Sequence, residues 1–251
     1  MKYFITDMDG TLLDDQVLSE ENIAAIKKLQ TNGFEVILAS GRSDLRIELY
    51  KDEIPVNTII ASNGGMVKNC KTNEYTHLAT FDFSVVERMA KIATNFGVPL
   101  AIFTEYGDFI YNLGDVPARV GSTLIDDLSQ IKGTPVKATI VLLDFVDLYE
   151  AIDVEVKKIE NVTVVHPGEP YIDVSALNVS KWSGALTFLK EGDFTIAIGD
   201  GENDLEMIKN ADFGIAMDKS RKQIKDVANL VVKDVEHGGF VQAVEYVLDN
   251  F

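Results

Sequence analysis

Two aspartates one residue apart, Asp7 and Asp9, end the apolar run Tyr3-Phe4-Ile5 and are followed by Gly10-Thr11. Alternate side chains of a strand share a face, so the two carboxylates point the same way if the strand runs through both. If it stops at Asp7, the turn re-aims Asp9. Either way two acids gather at the C-terminal edge of a strand, where open α/β sheets bind their ligands. Adjacent carboxylates repel, and a cation, a shared proton or a cationic substrate has to offset that repulsion. Other polar groups end other apolar runs: Ser40 in Ser40-Gly41-Arg42, Asn63 in Ser62-Asn63-Gly64-Gly65, and Asp200, Asn203 and Asp204 in Gly199-Asp200-Gly201-Glu202-Asn203-Asp204. Lys181 opens a helix that Ser180 can cap. Carboxylates without histidine suit a hard cation such as Mg²⁺, with waters and a phosphate completing its shell. Ser40 and Lys181 can donate to phosphate oxygens, and the turns at Gly41, Gly64 and Gly201 can present backbone N–H groups to an anion.

For these groups to meet, the strands they follow must be parallel. Tyr3–Ile5, Phe34–Ala39 and Thr58–Ala61 read as buried strands, with a helix capped by Ser19 and stopped near Gly33 after the first and a short helix over Leu45–Tyr50 after the second. That alternation implies a parallel sheet with right-handed crossovers. Met66-Val67 and Tyr75–Leu78 read as a hairpin. A helix follows, with Ser84 and Glu87 as a capping box and Gly97 as its stop. From there to about Val174 the chain reads as short strands with one or two helices, an α+β texture that suggests an inserted second domain. The βα rhythm then returns: a helix carrying Ala185, Leu186, Phe188 and Leu189, strands at Phe194–Ile198, Phe213–Met217 and Leu230–Val232, and a last helix over Phe240–Leu248.

The 251 residues, 46% hydrophobic and 25% charged, suit one large domain or two smaller ones with a sizeable core. A formal net charge of -17 argues against nucleic acid or an anionic membrane as partner, since both need a basic surface. An anionic substrate would then need local positive charge, most simply a divalent cation. Cys70 is the single cysteine, so no intrachain disulfide forms. Neither a signal-peptide apolar region nor a membrane-spanning apolar run is present in the sequence, and the chain reads as soluble and cytoplasmic. His77, His166 and His237 are scattered and read as surface or packing residues, leaving no material for a zinc site or a Ser-His-Asp triad.

The segments Asp7-Met8-Asp9-Gly10-Thr11, Ser40-Gly41-Arg42, Lys181 and Gly199–Asp204 resemble, in order, the four motifs of the haloacid dehalogenase superfamily. The likeness extends nearly end to end. Through Thr11-Leu12-Leu13, Ser62–Gly65, Val179-Ser180-Lys181, Ala211-Asp212 and Gly214–Met217 it is similar to the Cof-type subfamily, whose class IIB cap is inserted between the second and third motifs. The resemblance implies a doubly wound, Rossmann-like α/β core over residues 1–82 and 178–251 and an inserted α+β cap over 83–177 that sets substrate specificity. It also implies a Mg²⁺-dependent phosphatase of small phosphorylated metabolites, sugar phosphates or phosphorylated cofactors.

By the same resemblance Asp7 is the nucleophile that becomes an aspartyl phosphate, and Asp9 is the acid and then the base. The metal set is Asp7, the backbone carbonyl of Asp9, Asp200 and Asp204, with Asp204 orienting the shell. Ser40, Gly41, Lys181 and Asn203 form the phosphate-binding set. Arg42 can serve the site or form a structural ion pair. Ser40 stands where threonine is more usual, and Trp182 where glycine often follows the lysine. The same motifs serve phosphomutases and phosphotransferases, and a non-catalytic phosphometabolite-binding regulator is a further alternative, for which Asp9 would be superfluous. Asp14-Asp15 and Asp126-Asp127 read as solvated surface, and Tyr106, Tyr111 and Tyr171 as half-buried tyrosines of the cap sheet that could line a pocket. The sequence is silent on the oligomeric state.

Overall fold

The structure, a computed structural model, describes residues 1–112, 114, 121–168 and 170–251. The first segment of the chain forms β1 (Lys2–Thr6), β2 (Leu13–Asp14), β3 (Val17–Leu18), α1 (Glu20–Thr31), β4 (Phe34–Ala39), α2 (Asp44–Ile47), β5 (Thr58–Ala61), β6 (Met66–Asn69) and β7 (Glu74–Leu78). The middle segment forms α3 (Phe83–Phe96), β8 (Leu100–Thr104), β9 (Gly107–Tyr111), β10 (Ser122–Ile125), β11 (Pro135–Val141), α4 (Tyr149–Val156), β12 (Val162–Gly168) and β13 (Tyr171–Ala176). The last segment forms α5 (Lys181–Leu186), β14 (Phe194–Gly199), α6 (Leu205–Asn210), β15 (Phe213–Met217), α7 (Lys222–Lys225), β16 (Leu230–Val232) and α8 (Gly239–Asn250).

Among the described residues, the first and last segments share one sheet in the order β16-β15-β14-β1-β4-β5-β6-β7. Strands β16 through β5 run parallel, and β6 and β7 add an antiparallel edge. Apolar residues dominate the central strands because helices cover both faces. Phe4 belongs to the cluster beneath α1 and α8 with Ile26, Leu29 and Val244, and its ring meets Phe240 edge-on at 6.0 Å between centroids. Its neighbour Ile5 points the other way, into the cluster that holds Ala185 of α5 and Met207 and Ile208 of α6. β1 lies between β14 and β4, so the chain winds outward from it in both directions. Its C-terminal end is therefore the topological switch point, where such sheets open a crevice.

The middle segment builds a second sheet, ordered β10-β9-β8-β11-β13-β12. One face is apolar: Ile102, Ala138, Ile140 and Val174 form a cluster with Val86 and Met89 of α3 and Ile152 of α4. The alternate residues Phe103, Lys137, Thr139 and Asp173 stand on the other face, fixed there by the registers Lys137↔Phe103 and Thr139↔Asp173.

Local details differ from the sequence reading, among them the following. Asp82, not Ser84, caps α3: its backbone is extended and its carboxylate accepts the Ser84 amide at 2.9 Å, so Ser84 falls inside the first turn. α5 ends at Leu186, leaving Phe188 and Leu189 beyond it. β10 was not expected; it lies at the sheet edge, parallel to β9.

Candidate active site

Asp7 follows β1, Ser40 follows β4, Asn63 follows β5 and Asp200 follows β14, and the parallel pairing brings all four to one edge. Backbone bonds carry the pairing into the site: the Asp7 amide donates to Ile198 O at 2.9 Å and the Ser40 amide to Ile60 O at 2.8 Å. Lys181 arrives from the first turn of α5, where Ser180 and Ser183 form a reciprocal capping box. Gly64, at φ +100°, lets the loop after β5 pass against that turn, since a Cβ there would sit 2.0 Å from Ser180 O.

Lys181 is wholly buried and bridges two acids, with Nζ 2.5 Å from Asp7 Oδ1 and 2.6 Å from Asp204 Oδ1. Asp204 Oδ2 accepts the Asp200 amide at 3.1 Å and the Gly201 amide at 2.9 Å, so this carboxylate braces the turn. Thr11 Oγ1 lies 3.1 Å from Asp200 Oδ1. Gly10, at φ +79°, brings the turn after β1 so close that a Cβ would stand 2.5 Å from Asp200 Oδ2. Ligand oxygens of Asp7, Asp200 and Asp204 all lie within 4.8 Å of one another.

The electrostatics follow from crowding. Burial first, and then the charge of Asp204, push the Asp7 carboxyl well above the usual carboxylate range, against the opposing pull of Lys181. The same two causes, in the same order, raise Asp200 to about 6. For Lys181, burial disfavours the charge, but Asp204 and Asp7 outweigh it and hold its proton more tightly than in a free lysine. Three carboxylates served by one buried ammonium leave excess negative charge. An all-oxygen donor set with that excess fits a hard divalent cation. Asp7 and Asp200 line the cavity that opens above them, while Asp204 is buried beneath it with both oxygens engaged.

That cavity, about 520 Å³, is walled on one side by Asp7, Asp9, Gly41, Arg42, Asp200 and Asn203, and on the other by Phe103, Lys137, Thr139, Tyr171 and Asp173 of the second sheet. Asp9 is half-exposed, and its carboxylate meets Arg42 as a bidentate pair, with Nε 2.8 Å from Oδ2 and Nη2 on Oδ1. Arg42 thus forms an ion pair within the site itself. Ser40 is fully buried, and its Oγ accepts the Arg42 amide at 3.1 Å. Asn203 donates to Asn63 Oδ1 at 2.9 Å, and Asn63 donates to Asp173 Oδ2 at 3.0 Å. Asp173 also accepts from Thr139 Oγ1 at 2.6 Å and from Lys137 Nζ at 3.2 Å. Lys137, Thr139 and Asp173 were not singled out in the sequence. The signal was there in Lys137-Ala138-Thr139-Ile140 and Tyr171-Ile172-Asp173-Val174, where polar and apolar residues alternate.

Of the three cap tyrosines, Tyr171 lines this cavity, whereas Tyr106 is exposed. Asp127 caps the short turn Leu128–Gln130, in keeping with a surface role. His237 stands beside Asp234 and Glu236 in an exposed group, where Lys219 Nζ engages Glu236 at 2.5 Å.

The family model for haloacid dehalogenase-like hydrolases matches residues 4–244. The chain belongs to that superfamily, with the Cof-type arrangement of motifs and inserted unit. Among curated proteins it is 25% identical to the 5-amino-6-(5-phospho-D-ribitylamino)uracil phosphatase YcsE of Bacillus subtilis, over 98% of this chain and 95% of that one. It is 28% identical to a phosphoglycolate phosphatase of Methanosarcina mazei, over 99% and 97%. Its fold matches that of the HAD subclass IIB sugar phosphatase BT4131 with a TM-score of 0.83, at 19% identity over 98% of this chain and 99% of that chain. Among the described residues, no helix is long and apolar enough to cross a membrane.

Proposed function

We propose that this phosphoric monoester hydrolase is Mg²⁺-dependent and acts on small phosphate monoesters, sugar phosphates or phosphorylated cofactors, through an aspartyl phosphate on Asp7. The observation that carries the reading is the buried Lys181 ammonium set between Asp7 and Asp204, beside the Asp200 carboxylate. A structural ion pair needs one carboxylate. Three of them at a sheet's switch point, two facing a cavity, suit a cation and an incoming anion.

Asp7 attacks phosphorus and the bond to the leaving oxygen breaks. Asp9 supplies the proton that oxygen takes, then removes one from the water that hydrolyses the acyl phosphate. Arg42 engages both Asp9 oxygens, so the guanidinium must yield part of its grip before Asp9 can donate. Lys181 favours the ionised form of Asp7, against burial and Asp204, and eases its repulsion of the phosphate dianion. Asp7 and Asp200, with the Asp9 carbonyl, would hold the cation, and Asp204 would orient the turn that carries Asp200. Bound there, Mg²⁺ supplies positive charge against which the phosphoryl oxygens are neutralised. Ser40, Gly41 and Asn203 complete the phosphate contacts. Residues 1–82 and 178–251 act as the catalytic core and 83–177 as a cap, which excludes water and reads the leaving group. The acidic surface and lone cysteine fit a cytoplasmic enzyme with no nucleic-acid partner.

A phosphate-release screen over phosphorylated metabolites with Mg²⁺ tests this, run beside Asp7→Asn. Release from a subset of esters, abolished in the variant, is expected. Undiminished turnover by Asp7→Asn would overturn the assignment of the nucleophile, and tight binding without any turnover would mark a binding protein instead. Phosphate recovered on an added sugar acceptor rather than as inorganic phosphate would mark a transferase.

A further inference from the structure

Lys137 lies on β11 of the inserted unit, yet its ammonium reaches into the second of the four motifs. Its Nζ is 2.6 Å from Gly41 O, 3.2 Å from Asp173 Oδ2 and 4.5 Å from the centre of the Phe103 ring. The residue is 5% exposed and Asp173 is 3% exposed, so water does little for either charge. Asp173 is satisfied in turn by Thr139 and Asn63, and Asn63 by Asn203. A buried ammonium held this way is rigid, since giving up either oxygen would strand its charge.

The carbonyl that Lys137 holds belongs to the Gly41–Arg42 peptide. That peptide is planar, so fixing its oxygen fixes the direction of its N–H on the opposite side. This N–H, on Arg42, is the group that donates to Ser40 Oγ at 3.1 Å. A hydroxyl oxygen occupied as acceptor keeps its own proton to give. Among the described residues no protein acceptor takes the Ser40 proton, and Gly41, Arg42 and Ser43 beside it line the cavity.

We propose that Lys137 is a positioning residue for phosphoryl binding: from the inserted unit it sets the Gly41–Arg42 peptide and through it aims the Ser40 hydroxyl at the phosphoryl group. This rests on the proposed function for the role of Ser40. It makes the inserted unit part of the phosphoryl site itself, so its contribution extends to substrates whose leaving group never touches it. Asp173 fixes Lys137 laterally, and through Asn63 ties the same assembly to Asn203 on the fourth motif.

The test is a double-mutant cycle read by binding, with inorganic phosphate as the probe and Mg²⁺ present. Wild type, Ser40→Ala, Lys137→Met and the double variant are titrated with phosphate by calorimetry, and with Mg²⁺ alone. Each single substitution is expected to weaken phosphate about tenfold, and the double variant to be no weaker than about twofold beyond either, because both remove one interaction. Mg²⁺ affinity stays within about twofold of wild type. Unchanged phosphate affinity in Lys137→Met would overturn the proposal and leave Lys137 as a leaving-group contact. So would additive losses, or a parallel loss of Mg²⁺, which would mark a general structural role. Lys137→Gln combined with Asp173→Asn removes both buried charges together, and serves as the second variant should Lys137→Met fold poorly. The binding arm needs no turnover, so failure of the phosphatase reading and failure of this one are told apart.

Discussion

Asp7 and Asp9 differ in their surroundings more than their shared spacing suggests. Asp7 is buried against Lys181, whereas Asp9 is half-exposed and gripped by Arg42. A nucleophile gains from a fixed position and a neighbouring cation, and a proton carrier from access to the leaving group and to water. The asymmetry matches the two proposed roles and predicts different losses. Asp9→Asn should cut kcat by about 10²–10⁴ for alkyl phosphates, whose leaving oxygens need a proton, and far less for p-nitrophenyl phosphate. Steady-state kinetics over a series of leaving groups measures this, and equal losses along the series would remove Asp9 from proton transfer.

At the scale of elements, the turns that end the central strands set the site. Gly10→Ala forces a left-handed residue at a cost of about 1–2 kcal/mol and drives its Cβ into Asp200. The expected outcome is a lower melting temperature and weaker Mg²⁺ binding together; a variant with only the first would show that Asp200 tolerates displacement. These turns were legible in the sequence because each joins a buried apolar run to a polar, glycine-containing stretch, as at Ile5–Gly10 and Ile198–Gly201. The helix starts were less so. Asp82 and Ser84 are both good capping residues two positions apart, and only the extended backbone at Asp82 decides between them. β10 was missed because Leu124 is exposed and its strand lies at an edge, which weakens the alternation that marks a half-buried strand. The alternation marks Asp173 on its strand, but its meeting with Asn63, 110 residues away, is encoded by no local pattern.

Across the whole molecule, a net charge of -17 includes three carboxylates, Asp7, Asp200 and Asp204, gathered within 4.8 Å of one another. Asp200, ordinarily near 3.8, is raised to about 6 in the metal-free protein, and Asp7 is raised as well. A folded-state value above the unfolded one contributes stability that is complete below the ordinary carboxylate range. That contribution is lost as pH rises through the folded value. Metal-free protein therefore gives up stability at Asp200 between about pH 4 and pH 7, while a cation that displaces its proton binds more tightly over the same interval. The melting temperature with Mg²⁺, minus that with chelator, should grow as pH is raised from about 5 to about 7. A difference that stays flat would show that the carboxylates do not hold the cation.

The central claim is that Asp7 takes up the phosphoryl group. The most direct measurement is to acid-quench the enzyme during turnover of a good substrate with Mg²⁺, reduce it with borohydride and map the peptides. An acyl phosphate at Asp7 is reduced to homoserine, and the account predicts that conversion at position 7 alone, dependent on substrate and absent in Asp7→Asn. Steady phosphate release with position 7 recovered only as aspartate, or with conversion at another carboxylate, would contradict it.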